Sequence, residues 1–148
     1  MTEFYSLITD GGLRKIETAL MKNEKLNLKY MAIGDANNQE FSLKPEQTKL
    51  INEKYRCEIE ELTSTSVNAH IPENVGGFYI TEVGLFDKDN TLILVAKQPK
   101  TYKPIEKQGS VKRLWIKVII QAINPNVLSI KLTRILKPHQ FNLSMKLF

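Results

Sequence analysis

With one cysteine, two histidines and no long apolar run, the chain excludes several functions at the outset. Cys57 stands without a second thiol in RCEIE, so neither an internal disulfide nor a thiolate metal cluster can form. His70 and His139 have no further histidine or cysteine at metal-ligand spacing, and we expect both to be structural or surface residues, with no metal and no cofactor. No stretch approaches the roughly 20 apolar residues that span a bilayer. The start, MTEFYSLITDGG, has acids and a glycine pair where a signal peptide needs a basic start and an apolar centre, so neither export nor a membrane partner is expected. The adjacent glycines, Gly11-Gly12 and Gly76-Gly77, fit no phosphate-binding pattern, and no serine sits in a nucleophile elbow. Glu58, Glu60, Glu61, Glu82, Asp87 and Asp89 occupy alternating or turn positions of the kind solvated strands also use. No enzyme is therefore expected, and a carbohydrate-acting enzyme is the weakest alternative.

What is present suits one domain, 1–148: 148 residues, 42% hydrophobic and 25% charged. The net charge of +5 is unevenly placed. Residues 1 to 96 carry 10 basic and 15 acidic side chains, whereas residues 97 to 117 set Lys97, Lys100, Lys103, Lys107, Lys112, Arg113 and Lys117 against Glu106 alone. Such asymmetry suits docking between unlike protein surfaces at least as well as nucleic acid. A nucleic-acid-binding module using these lysines with Tyr102 and Trp115 is the alternative, but Trp115 lies in the apolar run LWIKVII, where burial is the simpler reading.

Leu13, Ile16 and Leu20 recur at helical spacing and predict a short N-terminal helix, with Asp10 as its cap and Asn23 near its end. Alternation in LNLKYMAIGD predicts a strand, followed by a surface loop over 36–49 with one helical turn at most. YRCEIEELTS, SVNAHIP, GGFYITEVGLFD and TLILVAKQ read as strands. The apolar series changes parity between Ile80 and Val83, which predicts a bulge near Thr81 to Gly84, and Asp87 to Asn90 predict a hairpin turn. TYKPIEKQGSVKR reads as a long exposed connection. LWIKVIIQAI and VLSIKLTRI read as strands joined by a hairpin at Asn124-Pro125-Asn126. The expected class is α+β: a short N-terminal helix packed on a mostly antiparallel sheet with long connecting loops. In the tail, 133–148, Phe141, Leu143 and Met145 alternate with polar residues and Phe148 closes the chain. This tail either presents an edge strand to a neighbour or folds onto its own sheet.

The segments FYSLITDGGLRKI, LKYMAIGDAN, LINEKYRCEI, IPENVGGFYITEVGLFD, LILVAKQPKTYKP and IKVIIQAINPNVLSIKL, in that order, resemble the N-terminal domain of phage tail fibre or tail-collar fibre proteins through about Leu132. The resemblance implies a noncatalytic adaptor that attaches a fibre to the tail or baseplate of a phage or phage-derived contractile particle, assembled in the bacterial cytoplasm. Family fibres are commonly homotrimers, although a shaft can drive that assembly, and a distal fibre polypeptide would contact the host. The matching positions are Gly34-Asp35, Tyr55-Arg56, Gly76-Gly77, Glu82-Val83-Gly84 and Tyr102-Lys103-Pro104. As scaffold, Gly34 and Asp35 turn the chain, Gly76 and Gly77 shape a strand entry, Gly84 allows a bulge or close backbone approach, Arg56 pairs with Glu82 if their strands adjoin, Pro104 restricts an exposed attachment loop, and Trp115 packs. The expected interface comprises Lys97, Lys100, Tyr102, Lys103, Pro104 and Lys107 with Phe141, Leu143, Met145 and Phe148.

Overall fold

A computed structural model describes residues 5–62, 66–105, 114–120, 135–136 and 141–147. The chain runs β1 (Ser6–Ile8), α1 (Asp10–Met21), β2 (Leu28–Gly34), a 3-10 turn (Ala36–Asn38), β3 (Glu53–Glu58), β4 (Glu61–Leu62), β5 (Ser66–Ile71), β6 (Phe78–Asp87), β7 (Leu92–Lys103), β8 (Leu114–Ile120), β9 (Ile135–Leu136) and β10 (Phe141–Leu147).

These strands form two antiparallel sheets rather than one. The larger has the order β3-β2-β6-β7-β1-β9 and the smaller β10-β8-β5-β4. Half of the chain is strand and 15% is helical, with a single α-helix among the described residues, so the expected α+β class is overturned in favour of a mostly β fold. The physical reason is that period-2 alternation reports which residues of a strand face inward but not which strands are its neighbours. Strands read in series as one sheet are in fact divided between two that face each other. Ile33, Ile80, Val83, Leu85 and Ala96 of the larger sheet share one buried cluster with Val67, Ala69, Ile71, Leu114, Ile116 and Val118 of the smaller.

The predicted helix forms and buries Ile16, with Leu13 and Leu20 packed against the same cluster. Its cap is Thr9, not Asp10: the Thr9 hydroxyl accepts the Gly12 amide at 2.9 Å. The helix ends at Met21, and Asn23 takes φ 55, as its short polar side chain allows. The hairpin at Asp87–Asn90 is present, with Asp87 Oδ1 accepting the amides of Asp89 and Thr91 at 3.0 and 2.9 Å and Asn90 at φ 65. The register of β6 against β7 shifts between Ile80 and Glu82, which is the bulge the parity change predicts. A second shift separates Leu85 from Phe86.

The other face of the larger sheet carries a second cluster of Leu7, Ala32, Phe86, Leu92 and Val95. The segment between the 3-10 turn and β3 covers it, burying Leu43 and Leu50, with Phe41 packed against them. Residues 36–49 are thus mostly exposed, with one 3-10 turn at Ala36–Asn38 as expected, but Leu43 within them and Leu50 just beyond enter the core. Thr101 to Lys103 belong to β7, so the long connection begins later than expected. Residues 106–113, the Asn124-Pro125-Asn126 hairpin and all of 127–135 except Ile135 lie outside the described residues, as do Lys107, His139 and Phe148.

Cys57 sits half-buried on β3, beside the core and with Sγ directed at the Met31 carbonyl at 3.8 Å. Burial, with the Glu60 charge as the lesser cause, pushes its thiol up to about 11. At pH 8 we expect its alkylation by iodoacetamide to run roughly 100-fold slower than that of an unhindered thiol, because only the thiolate reacts. Mass-spectrometric labelling kinetics check this, and complete labelling of the folded protein at the free-thiol rate would contradict it.

Candidate functional site

The motif residues gather into two nodes. The first is centred on Glu82 of β6, which is fully buried beside the bulge. Its Oε1 accepts the Ile51 amide at 2.8 Å, and its Oε2 accepts those of Ala36 and Asn52 at 3.0 and 2.9 Å. One carboxylate thus ties both ends of the covering segment to the sheet. Three left-handed residues in succession, Ala36 (φ 50), Asn37 (φ 58) and Asn38 (φ 56), are held between these anchors. Each costs about 1 kcal/mol or more outside glycine, so the turn exists only because its amides have fixed acceptors. Asp35 Oδ1 supplies one, taking the Asn37 amide at 2.9 Å and the Asn52 side-chain amide at 2.7 Å.

The neighbouring glycines follow from the same closure. A Cβ on Gly34 would lie 2.6 Å from Glu82 Oε2, and one on Gly84 would lie 2.9 Å from Leu50 Cδ2. Lys97 completes the arrangement. It is 9% exposed, and its ammonium donates to Glu40 Oε1 at 2.7 Å and to the Phe41 carbonyl while lying 4.7 Å over the Phe41 ring.

Arg56 does not meet Glu82. β2 stands between their strands in the sheet, so the expected pair is replaced. Arg56 instead binds Glu53 at 2.8 Å, donates to the Asn90 side chain and stacks 3.8 Å over the Phe86 ring. A bidentate carboxylate contact made while the guanidinium carbon lies over a ring is an arrangement that lysine cannot copy.

The second node joins Gly76-Gly77 to Tyr102-Lys103-Pro104, which the sequence separates by 24 residues or more. Phe78 pairs with Lys103 and Tyr79 with Tyr102 in the β6–β7 register. The Gly77 amide donates to the Lys103 carbonyl at 2.7 Å, and a Cβ on Gly76 would lie 2.6 Å from that oxygen. Lys103 itself is buried, its ammonium donating to the carbonyls of Val75 at 2.7 Å and Pro104 at 2.8 Å. Its amine faces the protein's own backbone, whereas Lys100 and Tyr102 are exposed and Pro104 is half-buried.

Burial holds the Lys103 ammonium below the ordinary lysine range, with Glu73 opposing as the lesser influence. The unfolded chain then binds the extra proton between the folded pKa and 10.5, so stability from this group rises with pH across that window. In urea titrations from pH 7 to 10.5 we expect wild type to gain stability relative to Lys103→Met. A constant difference between the two would contradict the burial.

Trp115 is half-buried on β8 beside His70 of β5, ring centroids 5.1 Å apart, while its neighbours Leu114 and Ile116 enter the core. His70 Nδ1 lies 2.6 Å from Glu60 Oε2. Phe141, Leu143 and Met145 belong to β10, whose backbone pairs with β8 from Phe141↔Ile120 to Leu147↔Leu114, so this part of the tail joins the chain's own sheet. Among the described residues no group of three His, Cys, Asp or Glu is placed to hold a metal, and no helix is long and apolar enough to cross a membrane.

Sequence reasoning missed Tyr79. It stands 40% exposed opposite Tyr102 at 38%, ring centroids 5.1 Å apart and edge to face, with Lys100 Nζ 4.4 Å over its ring. The signal was present, since Phe78 and Ile80 point inward and leave Tyr79 on the other face. The covering function of Glu82 was also signalled, by a charge embedded in an apolar run.

These nodes lie within a region that matches a known family. The model of the phage tail-collar fibre protein, N-terminal, matches residues 1–137. A curated relative described as a probable tail fiber protein of Escherichia phage P2 is 32% identical over 139 residues, covering 88% of this chain. The chain spans about a fifth of that relative's length, 20%. No solved structure matches it significantly. The chain belongs to the phage tail-collar fibre protein family, whose N-terminal region it matches, and so to the structural proteins of the phage tail.

Proposed function

We propose that this chain is a single noncatalytic attachment domain, which seats a tail fibre on the tail or baseplate of a phage or phage-derived contractile particle. It is assembled into the tail in the bacterial cytoplasm, and a distal fibre polypeptide makes the host contact. A fibre shaft, where one is present, brings three copies together. The observation that carries this reading is the match of residues 1–137 to the N-terminal part of tail-collar fibre proteins. The geometry is consistent with it in one respect: Glu82, Asp35, Lys97 and Lys103 are all bound to this protein's own backbone or side chains and serve to stiffen it. A rigid body loses little freedom on docking, which favours a permanent joint. Lys100 and Tyr102, exposed on β7, and the tail strand β10, at the edge of the smaller sheet, remain the proposed contacts.

The test is association of the full 148-residue chain with a purified tail or baseplate fraction. We expect co-sedimentation that survives nuclease treatment. Absence of co-sedimentation, or its loss with nuclease, would count against attachment and favour nucleic acid.

A further inference from the structure

The segment that covers the second cluster begins and ends at one neck. There the Asp35 amide donates to the Asn52 carbonyl at 3.3 Å, and the Asn52 side-chain amide donates to Asp35 Oδ1 at 2.7 Å. Glu82 takes the amides of Ala36, Ile51 and Asn52 at the same place. Strand pairing closes just outside it, because Gly34 pairs with Glu53 of β3 on one side and with Glu82 of β6 on the other. Residues 36–51 are thus a loop with joined ends that contributes no strand to either sheet. Away from the neck its ties are few. The Leu43 amide donates to the Tyr5 hydroxyl at 2.9 Å, the Pro45 carbonyl accepts the Asp10 amide at 2.7 Å, and the Lys97 ammonium reaches Glu40 and the Phe41 carbonyl. Leu43 and Leu50 are its large buried side chains.

We propose that residues 36–51 are a strap that opens about this neck as one unit while both sheets stay paired, baring the face of Leu7, Phe86, Leu92 and Val95. The claim does not depend on the attachment reading. Three features favour opening here. The strap can lift without breaking any strand pair, whereas every other route to this face separates strands. Ala36, Asn37 and Asn38 leave the left-handed region that closure imposes on them, so opening relieves strain. The Lys97 ammonium, 9% exposed when the strap is closed, returns to water. The anchoring makes the motion collective. One carboxylate holds the first and the last turn of the strap, so neither end can leave without loosening the other. Sub-global units of this kind are bounded by shared ties rather than by strand ladders.

Native-state hydrogen exchange of the full 148-residue chain in rising, sub-denaturing urea tests this. We expect the amides of Asp10, Ala36, Leu43, Ile51 and Asn52 to share one opening, with protection roughly 100-fold below that of the slowest β6 and β7 amides. A common urea dependence should mark the apolar face that becomes wetted. Tyr5→Phe removes the acceptor of the Leu43 amide and touches neither end of the strap. It should speed exchange at Leu43, Ile51 and Asn52 by one factor, roughly 3- to 10-fold. Acceleration at Leu43 alone overturns the proposal, because the ties would then be letting go one by one. Exchange of the five wild-type amides at the rate of the slowest β6 and β7 amides also overturns it, since the strap would then open only when the whole protein unfolds. Exchange at five unrelated rates with no dependence on urea does the same, leaving local fluctuation in place of a unit.

Discussion

Glu82→Gln is expected to lower stability by about 2–3 kcal/mol and Glu82→Ala by about 4 kcal/mol, among the largest losses any single polar substitution in this protein would cause. The carboxylate takes three backbone amides on two oxygens. A glutamine can present its one carbonyl oxygen to Ala36 and Asn52, but its NH2 then faces the Ile51 amide, donor against donor. Alanine removes every acceptor, and it does so beneath a turn of three left-handed residues that has no reason of its own to form. Equilibrium urea unfolding measures the totals. At about 2–4 °C per kcal/mol for a chain of this size, the melting point of the alanine variant should fall by roughly 10 °C. Amide exchange locates the cause: Ala36, Ile51 and Asn52 should lose protection before the strands of the smaller sheet do. Losses under about 1 kcal/mol, or unchanged exchange at Ile51 and Asn52, would show that the covering segment is held by Leu43 and Leu50 alone.

That dependence also explains where the sequence was readable. Features set by neighbours in the chain were plain in it: Leu13, Ile16 and Leu20 give the helical stripe, Asp87 to Asn90 the turn, and the parity change before Val83 the bulge. Contacts between distant segments left only indirect traces. Nothing in the alternation of SVNAHIP says that it pairs with LWIKVII rather than with GGFYITEV, which is how two sheets were read as one. Arg56 and Glu82 carry opposite charges in strands of one sheet, yet β2 lies between them, and charge alone does not count intervening strands. Leu43 and Leu50 are isolated apolar residues in a polar stretch, with no periodicity to mark them as core. Lys103 resembles the lysines around it, and only the meeting of Tyr102-Lys103-Pro104 with Gly76-Gly77 explains its burial. For the candidate site, the resemblance named the scaffold positions as a group while leaving unstated what they hold. Tyr79, which it passed over, was visible from strand parity.

Gly12→Ala separates two physical effects of opposite sign at one position. By helix propensity alone, alanine inside α1 should stabilise by about 1 kcal/mol, because glycine loses more backbone freedom on folding. Packing opposes this: a Cβ at Gly12 would lie 2.8 Å from both the Cα and the carbonyl carbon of Ile93 and closer still to its oxygen. These are backbone atoms of β7, a central strand that cannot rotate away as a side chain would. Nor can the helix lift freely. Its cap is fastened to the same strand, with the Thr9 amide donating to the Ile93 carbonyl at 3.1 Å and the Thr9 hydroxyl to that of Leu92. Relief of the clash therefore breaks the cap or opens the core around Ile16, and we expect a net loss of about 2–4 kcal/mol. Gly11 provides the control, since a Cβ there would meet the Thr91 methyl at 3.2 Å, a side-chain atom able to give way. Gly11→Ala should be neutral or gain up to about 1 kcal/mol. Unfolding of the two variants side by side tests the account, and equal stability would mean that the helix rides loosely over β7 rather than being clamped to it.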